Sequence, residues 1–244
     1  MKKDILGVKV DDLTLSEAIS AGIALLEHPG FHYIVTPNPE FILSAQKDEA
    51  FCSVLNQADL SLADGIGVIY ASKILGTPLK GRAPGVDFAQ GLMTYLAASG
   101  LRLFLLGAKP GVAEQAAKNL KVSHPGLQIC GTHDGYFQQD EPVVEAIHAA
   151  KTDVIFVCLG APKQELWMAR YGFATGAKLA IGLGGCLDVF AGNVQRAPKA
   201  FQKAGLEWLY RLMKEPKRIG RMAKLPLILV DALGARIGGK NLNG

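Results

Sequence analysis

Several apolar runs in this 244-residue chain end in short turns that carry polar side chains and glycine. Asp64 stands between such a run and Gly65, where its carboxylate can project into an open cleft and take a proton from a hydroxyl group. Asp before Gly also commonly caps a helix or forms a turn. From these residues alone the two interpretations of Asp64 have about equal weight.

Four other polar residues stand at run ends or in nearby turns: Thr36, Asn38, Arg82 and Gln164. Thr36 and Asn38 can orient a hydroxyl group or the Asp64 carboxylate, and a Thr-Pro-Asn turn is the competing explanation. Gln164 has two N–H donors and one acceptor, which suit sugar hydroxyl groups, unless it is a solvated residue at a helix start. Arg82 can contact a phosphate, although an arginine in a surface loop needs no such role.

The turn at Gly160 has the form of an anion site. The apolar run Val154–Leu159 before it is unbroken, as in a strand buried on both faces of a parallel sheet, and Pro162 is well placed to begin a helix. A strand that leads into a helix in this way presents backbone N–H groups at the carboxyl edge of the sheet, where open α/β proteins bind anions. An ordinary strand-to-helix junction is the alternative.

Strands and helices alternate along the chain. The predicted strands are Phe31–Thr36, Leu60–Ala63, Leu101–Leu106, Leu127–Gly131, Val154–Leu159 and Lys178–Leu183, after a short element near Ile5–Val10. Helices fill the intervals, and Asp48 is the expected N-cap of one of them. The alternation predicts an α/β fold with a mostly parallel sheet between helices, which would bring the polar turns to one edge.

Composition excludes several classes of protein. Hydrophobic residues make up 49% of the chain, enough for a sizeable core, but no apolar stretch approaches the roughly 20 residues of a membrane-spanning helix. The amino terminus lacks the apolar region of a signal peptide, which predicts a cytoplasmic protein. The four cysteines form no Cys-x-x-Cys pair, so we expect reduced core thiols.

Charge divides the chain in two. Residues 1–195 contain 15 Lys+Arg and 19 Asp+Glu, whereas residues 196–244 contain 11 Lys+Arg and 3 Asp+Glu. We expect an α/β core over 1–195 and a basic helical appendage over 196–244. A basic appendage indicates an anionic partner such as phosphate, nucleic acid or a membrane surface.

Common catalytic signatures are missing. The chain has no G-x-G-x-x-G after its first strand, no Walker A sequence, no G-x-S-x-G and no H-E-x-x-H. It also has no Asp-x-Asp, the pair with which many sugar-nucleotide enzymes hold a divalent metal. We therefore expect neither a metal nor a cofactor, and a bound diphosphate would need side-chain cations and backbone amides.

The polar turns recur in an order and spacing that resemble one known family. The matching segments are 36–40, 63–67, 106–108, 134–137, 159–165, 196–198, 205–212 and 215–218, in register from about residue 5 to 224. They resemble the WecG/TagA/CpsF glycosyltransferases, and most closely the teichoic-acid branch of that family. The resemblance implies a Rossmann-like α/β core and a mobile carboxyl-terminal appendage at the membrane.

The resemblance also implies a reaction and its partners. The reaction is an inverting transfer of N-acetylmannosamine from its UDP conjugate to undecaprenyl-diphosphate-linked N-acetylglucosamine. A displacement of this kind needs a base, and the resemblance favours Asp64, with Thr36, Asn38 and Gln164 beside it. The expected partners are the UDP-sugar, the polyprenyl-diphosphate acceptor and an anionic membrane on whose inner face the protein is peripheral. Nucleic acid is not expected, and homo-oligomerisation stays open.

Residues for the nucleotide and its diphosphate are suggested by their types and by their places in the turns and the appendage. The candidates are Arg82, Gly107, Ala108, Asp134, Gly135, Tyr136, Gly160, Gly184, Gly185, Arg211, Arg218 and Arg221. The glycines allow backbone to approach a ligand closely. Tyr136 can stack on the base or pack against the next helix. Arg218 and Arg221 share one face of a helix that is expected to begin at Pro216, and a solvated basic face is the simpler account of them.

Two alternatives remain at this point. One keeps the enzyme class and changes the donor to another UDP-sugar, such as glucose or N-acetylmannosaminuronic acid. The other is a membrane-recruited nucleotide-binding module without catalysis.

Overall fold

The structure is a computed structural model that describes residues 1–203, 205–214 and 224–240. Its strands are β1 (Lys2–Ile5), β2 (Val8–Asp11), β3 (His32–Val35), β4 (Leu60–Ser61), β5 (Arg102–Gly107), β6 (Gln128–His133), β7 (Val154–Cys158) and β8 (Leu179–Gly182). Six of them form one sheet in the order β4-β3-β8-β7-β5-β6, and every neighbouring pair is parallel. The predicted α/β fold with a parallel sheet is confirmed.

Helices lie on both faces of this sheet. They are α1 (Leu15–Leu25), α2 (Pro39–Ala45), α3 (Glu49–Gln57), α4 (Ile66–Ile74), α5 (Gly85–Ser99), α6 (Val112–Ser123), α7 (Glu141–Ala149), α8 (Lys163–Tyr171), α9 (Cys186–Phe190), α10 (Lys199–Lys203), α11 (Glu207–Lys214) and α12 (Lys224–Lys240), with a short 3₁₀ turn at Phe173–Thr175. Asp48 caps α3 as predicted, because its side chain accepts a hydrogen bond from the N–H of Phe51.

The first element differs from the prediction. The single element expected near Ile5–Val10 is a hairpin of β1 and β2, which turns at Leu6 and Gly7, both with positive φ. The hairpin lies beside the edge strand β4, where Asp11 Oδ2 accepts a hydrogen bond of 2.9 Å from the N–H of Ser61. The carboxylate therefore satisfies a backbone donor that the short edge strand leaves without a partner strand.

Two apolar layers hold the sheet between the helices. All five residues of β7 are buried, and they alternate between the layers: Phe156 packs with α5 and α6, while Ile155 and Val157 pack with α3 and α8. A strand buried on both faces has no room for polar residues inside the sheet. The polar residues that follow β7 therefore come after the end of the strand.

The last described helix packs onto the core. Ile228 and Ala232 of α12 are fully buried among residues of α2 and α4. Lys224 Nζ lies 3.0 Å from Glu40 Oε1, and Arg236 Nη1 donates a hydrogen bond of 2.6 Å to the carbonyl oxygen of Ile74. None of the helices in the described ranges combines the length and apolar character that crossing a membrane requires.

Candidate active site

A cleft of about 390 Å³ opens at the carboxyl ends of β4, β3, β8 and β7. These four strands are neighbours in the sheet, so the turns that follow them meet at one place. Eight of the predicted site residues line this cleft: Thr36, Asn38, Asp64, Arg82, Gly160, Gln164, Gly184 and Gly185. They include all four residues that were predicted to act in catalysis.

Asp64 lies half-buried in the wall of the cleft. The N-cap of α4 is Gly65, with φ of 103°, which has no side chain to cap the helix. Asp64 stands one residue before this N-cap. Its Oδ2 instead lies 3.4 Å from the N–H of Gly85, the first residue of α5, while its own N–H donates to the carbonyl oxygen of Pro37. The carboxylate is held in place by an element far away in sequence.

Thr36 and Asn38 have structural bonds as well as a place in the cleft. The buried hydroxyl group of Thr36 donates a hydrogen bond of 2.8 Å to the carbonyl oxygen of Gly182, which joins the ends of β3 and β8. Asn38 is the N-cap of α2, and its Oδ1 accepts hydrogen bonds from the N–H groups of Glu40 and Phe41. The Thr36 oxygen can still accept a hydrogen bond, and the Asn38 amide still has its donors.

Gln164 is fully buried, so the solvated helix start considered for it is wrong. Its Oε1 accepts two backbone hydrogen bonds, from Gly160 at 3.2 Å and from Gly184 at 3.0 Å. Its Nε2 donates to Oε1 of Glu165 at 2.6 Å. Gln164 thus connects the turns after β7 and β8 across the floor of the cleft.

Glu165 was not among the predicted site residues. Its side chain is fully buried, and burial raises the pKa of its carboxyl group to about 7. The sequence carried one signal for this burial. Glu165 lies three residues before the apolar Met168, so the two side chains share one face of the helix. Met168 is fully buried in the structure.

Charges in the cleft are mostly negative. Among the described residues that line it, Arg82 is the one cation, and four residues are acidic: Glu40, Asp64, Asp188 and Glu207. Nη2 of Arg82 donates a hydrogen bond of 2.8 Å to the carbonyl oxygen of Gln202 in α10. An anionic ligand here would therefore need further cations or backbone N–H groups.

Five predicted binding residues lie beyond β5 and β6, outside the lining of this cleft: Gly107, Ala108, Asp134, Gly135 and Tyr136. A side chain at Gly107 would overlap the backbone of Cys158, so this glycine allows two strand ends to approach each other. Ala108 accepts a hydrogen bond from the N–H of Gly135, which joins the two turns. Tyr136 is 64% exposed, so it is not buried against the next helix.

The carboxyl-terminal segment also reaches the cleft. Gly205, Glu207, Trp208 and Leu225 line it together with the core residues. Arg211 lies on α11, whereas Arg218, Arg221 and the helix expected from Pro216 lie outside the described residues. The positions of Glu207 and Trp208 in the cleft lining were not predicted, because nothing in their local sequence shows where α11 packs. Within the described ranges no three or more His, Cys, Asp or Glu residues are grouped as metal ligands.

Comparisons with known proteins identify the family of the chain. The profile of the glycosyl transferase WecG/TagA/CpsF family matches residues 3–242. The chain belongs to the WecG/TagA/CpsF family. A relative from Bacillus spizizenii is 40% identical over 201 residues, which cover 82% of this chain and 78% of the relative. A relative from Staphylococcus aureus is 37% identical over 238 residues, which cover 96% of this chain and 93% of the relative. Both relatives are named N-acetylglucosaminyldiphosphoundecaprenol N-acetyl-beta-D-mannosaminyltransferase.

As a WecG/TagA/CpsF glycosyltransferase, the chain needs a site that activates a hydroxyl group and holds a sugar donor. The cleft supplies a carboxylate at Asp64 and a buried amide at Gln164. It also supplies open backbone at Gly184 and Gly185, where an added Cβ would meet nothing within 4 Å. These are the groups that proton transfer and close backbone contact to a ligand require.

Proposed function

We propose that this chain transfers N-acetylmannosamine from UDP-N-acetylmannosamine to undecaprenyl-diphosphate-linked N-acetylglucosamine, the step that forms the linkage unit of teichoic acid. The observation that carries the proposal is the convergence of Asp64, Thr36, Asn38 and Gln164 on one cleft. The names of the relatives from Bacillus spizizenii and Staphylococcus aureus support the choice of acceptor and sugar.

The proposed reaction is a single displacement. A hydroxyl group of the acceptor attacks the anomeric carbon while the bond from that carbon to the UDP oxygen breaks, and UDP leaves with the bonding electrons. The carboxylate of Asp64 takes the proton of the attacking hydroxyl group. Attack from the side opposite the leaving group inverts the anomeric configuration. Thr36, Asn38 and Gln164 orient the acceptor and the transferred sugar through their remaining hydrogen-bonding capacity.

The nucleotide is proposed to extend from the cleft toward the turns after β5 and β6. Gly160, Gly184 and Gly185 would bring backbone close to the diphosphate, and Gly107, Ala108, Asp134, Gly135 and Tyr136 would hold the uridine. The exposed ring of Tyr136 is available for stacking, and Lys163 Nζ donates to the carbonyl oxygen of Gly135, which steadies that turn. We infer the uridine contacts from the types of these residues.

The diphosphate is proposed to be neutralised by arginines. Arg82 is the one cation among the described residues of the cleft, and four carboxylates surround the site. We therefore assign the remaining charge to Arg211, Arg218 and Arg221 of the appendage. The same shortage of cations favours an uncharged transferred sugar over a uronic acid, which would add another negative charge to the cleft.

The appendage is proposed to bind the inner face of the cell membrane, where the lipid-linked acceptor resides. The outer face of α12 carries four apolar side chains, each more than half exposed: Leu227, Val230, Leu233 and Ile237. They recur every three or four residues and therefore form one stripe, opposite the buried Ile228 and Ala232. Basic residues flank the stripe in sequence, as in helices that lie in a membrane interface.

A direct assay tests the proposed function. Purified protein is incubated with a short-chain lipid-diphosphate N-acetylglucosamine acceptor and, separately, with several UDP-sugars. We expect transfer from UDP-N-acetylmannosamine. NMR of the product should show a linkage whose anomeric configuration is opposite to that of the donor. Preferred transfer of glucose or a uronic acid would overturn the donor assignment. UDP binding without transfer from any donor would indicate the non-catalytic module.

A further inference from the structure

Glu165 carries a buried carboxyl group that the proposed reaction does not use. It lies in the first turn of α8, directly after Gln164, and is fully buried. Its Oε1 accepts the hydrogen bond from Gln164, but its Oε2 is buried without a hydrogen-bond partner among the described residues. An unsatisfied buried oxygen destabilises a fold, so its presence needs an explanation.

The surroundings of Gln164 determine which way its amide points. Two backbone N–H groups, from Gly160 and Gly184, converge on one side of the amide, so the oxygen must lie there. The NH₂ group is then directed toward Glu165, whose Oε1 is the acceptor at 2.6 Å. In the reversed orientation the NH₂ group would face two other donors, and the two glycine N–H groups would lose their acceptor.

Glu165 and Gln164 lie directly on the last residue of β8. A Cβ added to Gly182 would lie 2.9 Å from Gln164 Nε2 and 3.2 Å from Glu165 Oε1. The carbonyl oxygen of the same residue accepts the hydroxyl proton of Thr36. The carboxyl group of Glu165 thus lies beneath the cleft floor, in contact with the residue that joins Thr36 to Gln164.

We propose that Glu165 is a positioning residue for glycosyl transfer, which acts by fixing the Gln164 amide. With its oxygen toward the two glycine N–H groups and one N–H on Glu165, the amide keeps its second N–H for the ligand in the cleft. Glu165 itself does not touch the substrate. The proposal rests on the proposed function for the identity of the ligand, whereas the effect of Glu165 on the two glycine turns does not depend on it.

The environment of Glu165 suggests the conservative replacement. Burial raises the pKa of this carboxyl group to about 7, so a neutral side chain already occurs there near neutral pH. A glutamine at this position is neutral, has the same shape and offers an oxygen that can accept from Gln164 Nε2. Glu165→Met has a similar size but removes the acceptor.

Amide hydrogen exchange of Gly160 and Gly184, followed by NMR, tests the geometric part. In Glu165→Met we expect both amides to exchange about tenfold faster or more, because Gln164 no longer holds them steadily. In Glu165→Gln their exchange should stay within about threefold of the wild-type rate. Unchanged exchange in Glu165→Met would overturn the proposal. Trp167→Phe, a buried replacement in the same helix, is the matched control and should leave both amides unchanged.

Turnover of the UDP-sugar tests the functional part. Glu165→Met should lower kcat by about 10- to 100-fold with little change in KM, whereas Glu165→Gln should retain most activity. Gln164→Met should show the same loss, and the double variant should be no worse than Gln164→Met alone. Additive losses in the double variant would show that Glu165 does not act through Gln164.

Two outcomes separate this proposal from the proposed function. If the wild-type protein transfers no sugar, the proposed function fails, and the exchange rates still decide whether Glu165 fixes the amide. If Glu165→Met does not fold, Gln164→Met keeps the proposal testable, because wild-type turnover in that variant would overturn it.

Discussion

The guanidinium group of Arg196 binds the carboxylate of Asp87 through two hydrogen bonds, Nη1 to Oδ1 at 2.5 Å and Nη2 to Oδ2 at 3.1 Å. Its Nε lies 3.5 Å from Oε1 of Glu207. Asp87 lies in the first turn of α5, whose first N–H faces Asp64, and Glu207 begins α11. Arg196 therefore connects the helix behind the candidate base with the helix that lines the cleft from the appendage.

Replacing Arg196 by lysine should loosen α11 from the core. Lysine keeps the charge but cannot form the paired hydrogen bonds to Asp87, so we expect a loss of about 1–3 kcal/mol in the local opening free energy of α11. Hydrogen exchange measured peptide by peptide should be faster in the variant than in the wild type across α11, and unchanged in the sheet. Lys80→Arg, in the exposed pair with Glu17, is the control and should change nothing. Equal protection of α11 in both variants would contradict the connecting role of Arg196.

Replacing Asp64 by asparagine should abolish most turnover and leave UDP binding nearly unchanged. The substitution keeps the shape of the side chain but removes the proton acceptor, which should cost about two to four orders of magnitude in kcat. Calorimetric titration with UDP measures binding separately from the assay of transfer. Turnover near the wild-type rate would remove Asp64 from the role of base.

Transfer should survive a chelator of divalent cations. The chain has no Asp-x-Asp, and the described residues contain no cluster that could hold a metal ion. Arginines and backbone N–H groups are proposed to neutralise the UDP diphosphate in place of a metal. The assay is run with EDTA and with added Mg²⁺ or Mn²⁺. A strict requirement for either metal would contradict this assignment.

The sheet and the meeting of its turns could be predicted from sequence, because both follow from local patterns. Buried strands such as Val154–Cys158 show as unbroken apolar runs, and parallel strands place their ends at one edge. That rule alone was enough to bring Thr36, Asp64 and Gln164 together. It could not tell which strands are neighbours, so it did not separate these residues from Gly107 and Tyr136, which lie outside the cleft lining.

Contacts between distant segments could not be predicted in the same way. The burial of Gln164 depends on Gly182 and Gly184, about 20 residues later, and on the absence of a side chain at Gly182. The hydrogen bond from Gly85 to Asp64 likewise joins two loops whose separation in space no local pattern encodes. The sequence identified the residue types of the site, whereas their partners depend on packing.

The stability of the protein should depend on pH through Glu165. Its pKa is raised from the ordinary value of 4.5 to about 7, so the folded chain binds more protons than the unfolded chain between these values. The stabilising contribution of the neutral carboxyl group is fully present below about pH 4.5 and is lost as the pH rises through about 7. Glu165→Gln cannot ionise and lacks this dependence.

Urea unfolding of the wild-type protein and Glu165→Gln measures the difference. Between about pH 5 and about pH 8, the free energy of unfolding of the variant should gain about 2–3 kcal/mol relative to the wild type. Taking the difference between the two proteins cancels the titration of all other groups. A constant difference across this range would show that ionisation of Glu165 does not destabilise the folded chain.

The exposed stripe of α12 should determine binding to anionic vesicles. Val230 is 65% exposed on that stripe, so Val230→Glu should change the free energy of unfolding by less than about 0.5 kcal/mol. The new carboxylate would have to enter the interface of a negatively charged bilayer, which should weaken vesicle binding about tenfold or more. Val122→Glu is the matched control, since Val122 is 82% exposed on α6, away from the stripe. Sedimentation with phosphatidylglycerol vesicles measures both variants, and equal binding by the two would place the membrane contact elsewhere than on α12.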